Sequence, residues 1–364
     1  MKVVISGYYG FNNSGDDALL MAIVDNIRAI DPGINITVLS NSPKDTKKTY
    51  KTNAVYRYNI FSVLYEIATC DLLISGGGTL IQDATSSKSL YYYLSIIKIA
   101  KMLKRKVMLY ANGIGPLTSF KNIEKTKNIL NTVDMITLRD ENSKKELDQL
   151  GVTEPEIHLT ADPAFLLEAD SKGEDILENY GIEKDSKLLC ISVRKAKNNP
   201  QDFENVMAEF CDYAYEKYGL STVFLPMQRK VDYAICAAIK SKMKSRGVVI
   251  GANYQVSSLL SLISKMHVCV GMRLHTLIYA SNVDVPVIGI VYDPKVNGFL
   301  EYMGEDKFIN TEEITTDKLS ELLEKVCEDY DSTQSNLKYN VRILRNKANE
   351  NVELLRKLLS GGNK

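Results

Sequence analysis

Arg273-Leu274-His275 places a guanidinium and an imidazole two residues apart, directly after the apolar run His267–Val270 and at the start of a helical pattern. Two more cations follow apolar runs in the same half of the chain. Arg194 ends Leu188–Val193, and Lys295 comes after Val285–Val291. Any one of them alone reads as an ion-pair partner. Four cationic or titratable groups in equivalent places read as a site for a small, multiply charged anion. Guanidinium forks match carboxylate and phosphate geometry, and a helix N-terminus adds positive potential. Between two arginines, His275 is pushed towards neutrality until an anion binds, which then favours its protonated, acid form. His158 and His267 lie within strand-like patterns and read as structural.

The first half offers small residues instead of cations. After Lys2–Ser6 comes Gly7-Tyr8-Tyr9-Gly10-Phe11-Asn12-Asn13-Ser14-Gly15-Asp16-Asp17-Ala18. Gly10, Asn12 and Asn13 allow a tight loop whose backbone N–H groups face a ligand at the next helix start. Asp16 or Asp17 is a candidate cap for that helix. The glycines fall at 7, 10 and 15, which is not a dinucleotide fingerprint. Gly76-Gly77-Gly78 ends another apolar run, a costly choice unless something must approach the backbone. A sugar or phosphate suits that place. Asp83 follows as a candidate base, with a solvated loop carboxylate as the plain alternative. Tyr110–Pro116 repeats the small-residue ending, and Arg139 stands after Met135–Leu138 with Asp140 and Glu141 as ready ion-pair partners.

These residues need a scaffold that lines up strand ends, and the hydrophobic pattern supplies one. Short apolar runs at Lys2–Ser6, Asn35–Ser40, Asp71–Ser75, Lys106–Asn112, Met135–Arg139 and Ile157–Thr160 alternate with helix-length patterns. The rhythm breaks over the polar stretch Glu168–Lys187. It restarts with Leu188–Val193, Ser221–Leu225, Val248–Gly251, His267–Val270 and Val285–Val291. Buried β-branched runs between amphipathic helices predict mainly parallel sheets covered on both faces. The expected architecture is two doubly wound, Rossmann-like α/β domains, 1–170 and 171–364. A charged helical tail begins at Thr316, closes on a mobile Ser360–Lys364, and is free to pack back on the first domain. In such sheets ligands bind outside the carboxyl ends of the strands, which is where the candidate residues fall.

Composition narrows the classes. With 364 residues, 45% hydrophobic and 25% charged, the chain is an ordinary two-domain globular protein. Lys plus Arg equals Asp plus Glu at 45 each, so no global field draws it to nucleic acid. The six cysteines lack CxxC spacing and sit in apolar contexts, which predicts reduced, packed thiols and no zinc site. No metal-ligand spacing is present, and no cofactor is expected. Neither a signal peptide nor a membrane span is legible, so the expected location is cytoplasmic. The basic runs Lys44–Lys51 and Lys101–Lys106 read as solvated surface, the second also as a point of peripheral contact with an anionic membrane.

Together, Gly7–Ala18, Gly76–Gly78, Arg139-Asp140, Asp162-Pro163-Ala164, Arg194 and Arg273-Leu274-His275 make the sequence similar to the polysaccharide pyruvyl transferase family, in its bacterial cell-wall branch. The resemblance spans most of the chain, and the arginine-leucine-histidine triplet is its most telling part. It implies a fold like that of the B-type glycosyltransferases, with the active site in the cleft that two domains face. It implies transfer of pyruvate from phosphoenolpyruvate to two hydroxyls of a sugar, giving a ketal. In that branch the acceptor is N-acetylmannosamine in a lipid-linked secondary cell-wall polymer precursor, and such ketals anchor S-layer proteins. On this reading His275 is the general acid, and Arg194, Arg273 and Lys295 hold the donor, with Arg139 completing the clamp or positioning the acceptor. Asp83 and Asp16 are both candidate bases, while Gly10, Asn12, Asn13 and Gly76–Gly78 hold the acceptor. Two other readings stand beside it. A sugar-nucleotide glycosyltransferase would need a ribose-binding carboxylate, for which Glu301, Glu305 and Asp306 are available. A non-catalytic sugar- or anion-binding protein would bind without turnover.

Overall fold

Strands of Val, Ile and Leu that are buried along their whole length cannot sit at a solvated sheet face, so helices must cover both sides. The computed structural model describes residues 1–84 and 86–361 and shows this arrangement twice. The first unit comprises Met1–Leu166 with Leu344–Lys364, and the second comprises Leu167–Ile343.

The first unit runs β1 (Lys2–Ser6), α1 (Ser14–Ile30), β2 (Asn35–Ser40), α2 (Pro43–Tyr50), β3 (Asn53–Tyr56), α3 (Ile60–Thr69), β4 (Leu72–Ser75) and β5 (Gly78–Ile81). It continues through α4 (Ser87–Met102), β6 (Lys106–Ile114), α5 (Phe120–Leu130), β7 (Met135–Leu138), α6 (Glu141–Gln149) and β8 (Glu156–Leu159). Its parallel sheet has the order β3-β2-β1-β4-β6-β7-β8, with β5 paired to β6.

The second unit runs α7 (Gly173–Asn179), β9 (Leu188–Ser192), α8 (Phe203–Tyr218), β10 (Ser221–Phe224), α9 (Arg229–Lys242), β11 (Gly247–Val249) and α10 (Val256–Ile263). Then come β12 (Val268–Gly271), α11 (Leu274–Asn282), β13 (Val287–Val291), α12 (Pro294–Met303), β14 (Phe308–Asn310), α13 (Thr316–Glu328) and α14 (Tyr330–Ser360). Its sheet order is β11-β10-β9-β12-β13-β14, again parallel. The strand order reverses between β1 and β4 in one sheet and between β9 and β12 in the other. These are the switch points where loops part and leave a crevice.

Several short elements have no counterpart in the sequence reading. α2 is polar and buries only Thr46, so it carries no apolar stripe, and Pro43 opens it. β3 is an edge strand of four residues with a single buried position. The polar break after Glu168 contains α7, whose Gly173 lies against the backbone of Ser261. The division falls after Leu166 where the pattern placed it after residue 170. The tail is not wholly part of the second unit as the 171–364 boundary had it. From Leu344 onward α14 belongs to the first unit, where Leu355 and Leu359 join the core around Val3 and Ile5. Asn351 pins it there, accepting from Thr160 Oγ1 at 2.9 Å and donating to the Ala161 carbonyl at 3.1 Å. Of the tail expected to be mobile, Ser360 closes α14, Gly361 forms a turn, and 362–364 lie outside the described residues.

Candidate functional site

In the second unit the register sets the site. Ser192 pairs with Gly271, and Gly271 with Gly289, so Arg194, Arg273 and Val291 stand level, each two residues beyond a paired position. Tyr292 follows. Arg194 Nη1 donates to the Tyr292 hydroxyl at 3.2 Å, and its guanidinium carbon lies 5.1 Å from the centre of that ring. Among the described residues no carboxylate pairs with Arg194, and its buried Nε has no acceptor. The Arg194 main chain is tied down: its N–H donates to Met272 Sδ and its carbonyl accepts from Asn199 Nδ2. The side chain is thus held in place with its charge uncompensated.

Arg273 is different. Its Nε donates to Asp232 Oδ2 at 3.0 Å and its Nη2 to Asp232 Oδ1 at 2.5 Å, with Gln228 Oε1 at 3.4 Å. Asp232 is fully buried and also accepts the Gln228 N–H. A bidentate pair of this kind neutralises both charges. Asp232 thus takes the Nε and Nη2 donors of Arg273 and holds its guanidinium in one orientation. Asp232, inside α9, carried no sequence signal because a lone acid in an amphipathic helix looks like a solvated one.

His275 is the second residue of α11, with Tyr279 one turn on and the two rings tilted at 6.1 Å. Thr276 Oγ1 donates to Ser192 Oγ at 2.9 Å, which fastens the start of α11 to the strand that delivers Arg194. Lys295 is the second residue of α12. Its Nζ lies 3.3 Å from Asp293 Oδ2 and 5.9 Å from the Tyr292 ring centre, while Asp293 caps the helix by accepting the Lys295 N–H. Two cations therefore rest near one phenol, and three cations face two carboxylates. The edge keeps a positive excess beside the N-termini of α11 and α12, a setting that favours an anion. The acids that a ribose-binding role would call on are engaged. Glu301 accepts from Asn297, and Lys307 holds both Glu305 and Asp306. The Lys307 bond is the main cause that keeps the Asp306 carboxyl below its ordinary value.

In the first unit the glycines turn out to serve the protein's own side chains. Gly7 and Gly76 make room for the buried ring of Tyr9, whose hydroxyl lies where a Gly76 side chain would start. Leu19 covers Gly77. Gly10, at φ +79°, lets Ser40 and Ser42 close over the loop. At Gly10, Gly76 and Gly77 the space a side chain would take is therefore filled by the protein's own atoms. Gly78 differs, with Asp16 Oδ1 3.3 Å from its side-chain position. The cap of α1 is neither aspartate but Asn13, which accepts the Gly15 N–H at 3.2 Å. Asn12 is exposed at φ +56°, a conformation asparagine tolerates. Asp17 accepts from the Tyr50 hydroxyl at 3.2 Å; burial nonetheless pushes its carboxyl up to about 6.

Asp83 is spent on a loop. It accepts from Thr118 N and Oγ1, Ser119 N and Asn122 Nδ2, all within 3.1 Å. Burial raises its carboxyl, but the bonds from Asn122, Ser119 and Thr118 outweigh it and leave the value below normal. A carboxylate so satisfied is a poor base. Arg139 is 6% exposed and pairs with Asp140 at 3.2 Å and Asp162 at 3.6 Å, so it is a buried ion pair and not a free clamp. Arg57 is a further buried cation of this unit. It is buried after β3, donates to the Gly7 carbonyl and the Tyr93 hydroxyl, and lies over the rings of Phe11, Tyr58, Tyr92 and Tyr93. The Tyr56-Arg57-Tyr58 run was its only signal. His158 pairs with Glu156 in β8, and His267 stacks on Tyr330, both structural. Among the described residues no group of His, Cys, Asp and Glu has the arrangement of a metal site.

The model of the polysaccharide pyruvyl transferase family matches residues 13–294. The amylovoran biosynthesis protein AmsJ of Erwinia amylovora is 21% identical over 84% of this chain and 86% of its own. Among solved structures, a putative UDP-N-acetylglucosamine 2-epimerase from Listeria monocytogenes superposes with a TM-score of 0.72 at 10% identity, covering 100% of this chain and 97% of that one. The UDP-GlcNAc 2-epimerase of Neisseria meningitidis, bound to UDP-GlcNAc, gives 0.69 at 12% identity over 98% and 100%. At such identities the likeness speaks for the fold alone, a B-type glycosyltransferase-like pair of Rossmann-like units.

Proposed function

Because the chain belongs to the polysaccharide pyruvyl transferase family, we propose that it transfers pyruvate from phosphoenolpyruvate to an N-acetylmannosamine residue of a lipid-linked secondary cell-wall polymer precursor, forming a ketal. The observation that carries this is Arg194, a positioned guanidinium without a carboxylate partner, at the strand edge that also bears His275 and Lys295. Phosphoenolpyruvate carries a carboxylate and a phosphate, and a fork plus an ammonium suit that pair. His275 protonates the methylene carbon, which leaves an oxocarbenium-like centre at C2. One sugar hydroxyl attacks C2 and returns a proton to the now neutral imidazole of His275, and the second displaces phosphate to close the ketal, its proton leaving with the released phosphate. Arg194 and Lys295 stabilise the charge on the departing phosphate. No cofactor enters, since phosphoenolpyruvate is itself a substrate.

The test is phosphate release from phosphoenolpyruvate with and without a lipid disaccharide mimic containing N-acetylmannosamine, read together with the mass of the sugar. Acceptor-dependent release with a pyruvyl mass gain is expected, and His275→Ala should lower turnover by about 10²–10⁴-fold. Consumption of a nucleotide sugar with no phosphate release would replace this reading, and binding of the anion without turnover would favour a non-catalytic protein.

A further inference from the structure

Helix α3 is apolar on both sides. Val63 and Ile67 enter the core, as a covering helix requires, but Ile60, Phe61, Leu64 and Tyr65 point outward. Phe61 is 84% exposed and Ile60 66%. The outward stripe 60, 61, 64, 65 carries no charge, and the helix's one acid, Glu66, is held by Lys2 at 2.8 Å. A helix that is hydrophobic all round is normally buried, so this face is built to meet something.

Its surroundings say what. The end of α4 abuts the end of α3, where Arg105 donates to the Ala68 carbonyl. That junction adds Met102, 71% exposed, and Leu103, followed at once by the exposed Lys104. Lys2 lies 5.3 Å from the centre of the Tyr65 ring. Tyr56 and Tyr58 flank the other end of the stripe, both exposed and in edge contact. Apolar side chains bordered by tyrosines, with Lys2, Lys104 and Arg105 at one end against Glu66 and Asp71, have the composition of a surface that beds into a lipid interface. Aliphatic and phenyl groups enter the acyl boundary, tyrosines sit at headgroup level, and cations meet anionic lipid. No helix among the described residues is long and apolar enough to cross a membrane, so the contact is peripheral.

We propose that the outward face of α3, with the end of α4, docks the protein on an anionic lipid bilayer. Phe61 and Ile60 insert, and the exposed Lys104 supplies the charge preference. The surface does not depend on which sugar is modified, so its test needs no substrate.

The chain contains no tryptophan, so Phe61→Trp supplies a single reporter. Vesicles of phosphatidylcholine with one quarter phosphatidylglycerol should shift its emission to the blue. Tyr339→Trp, at an exposed site on α14, should not respond. In vesicle flotation, wild-type protein should float with the anionic vesicles at low salt and much less with phosphatidylcholine alone. Lys104→Glu should weaken partitioning by about fivefold. Ile60→Ser with Phe61→Ser should weaken it by at least about tenfold while thermal stability is kept, since both side chains are exposed. Absence of flotation with anionic vesicles overturns the proposal. So does flotation that the serine pair leaves unchanged. Self-association that the serine pair abolishes, without vesicle binding, would assign the face to a second copy instead.

Discussion

Arg139 and Arg194 each follow a buried parallel strand, yet Arg139 is locked between Asp140 and Asp162 while Arg194 lies against Tyr292 with its charge unmatched. The same contrast recurs within the second unit, where Arg273 stands level with Arg194 and is consumed by Asp232. Position after a strand therefore does not make a binding residue. Availability is decided by whether a carboxylate from elsewhere in the fold reaches the guanidinium first. A paired arginine has its charge compensated within the fold, and an unpaired one keeps its charge. The glycines show a parallel split: Gly76 and Gly77 admit Tyr9 and Leu19, whereas Gly78 adjoins Asp16.

Removing a partner is the hardest way to break this contrast. Asp232→Ala leaves Arg273 charged and uncompensated, and the loss should be about 3–5 kcal/mol, read as a thermal midpoint lower by roughly 6–20 °C. An unchanged midpoint would mean that Arg273 does not depend on Asp232. Next in size is a pH effect in the first unit. The folded Asp17 carboxyl sits near 6 against 3.8 for a free aspartate, so the native state holds more protons between those values. Stability should then fall as pH rises from about 4 to about 6, by at most about 3 kcal/mol. Asp17→Asn should flatten that slope, and a slope that persists would assign it to another group.

The same substitution should affect the two arginines differently. Arg194→Met should weaken phosphoenolpyruvate binding about 10–100-fold while moving the thermal midpoint by no more than about 2 °C. Arg139→Met should do the reverse, lowering the midpoint and leaving affinity for phosphoenolpyruvate unchanged. Equal effects on affinity would erase the distinction. The smallest effect belongs to Asp83→Asn, which loses part of a hydrogen-bond set worth about 1–2 kcal/mol and should retain turnover. A collapse of turnover at full stability would restore Asp83 as the base.

Much of the scaffold was legible because burial on both sheet faces forces unbroken apolar strands. Leu188–Ser192 and Ser221–Phe224 fall within the predicted runs, and α8 has the predicted bounds, Phe203–Tyr218. The polar α2 and the edge strand β3 were not legible, since neither shows a periodic apolar face. The loops that carry the candidate site were also legible. Gly7–Asn13, Gly76–Gly78, Arg194 and Arg273–His275 all follow strands that flank a switch point, β1, β4, β9 and β12.

What the chain determined by itself is thus the succession of elements, the two sheets and the chemical types at their carboxyl edges. These follow from local periodicity and from residue chemistry, both of which are written along the sequence. Only the tertiary structure decided which groups remain available. Asp232 reaches Arg273 across 41 positions, Asp83 is claimed by a loop 35 positions on, and Tyr9 folds over Gly76. It also decided that Leu344–Lys364 return to the first unit and that Phe61 is left facing outward. Charge compensation and packing are properties of neighbours in space, and a linear pattern does not encode which distant side chain arrives.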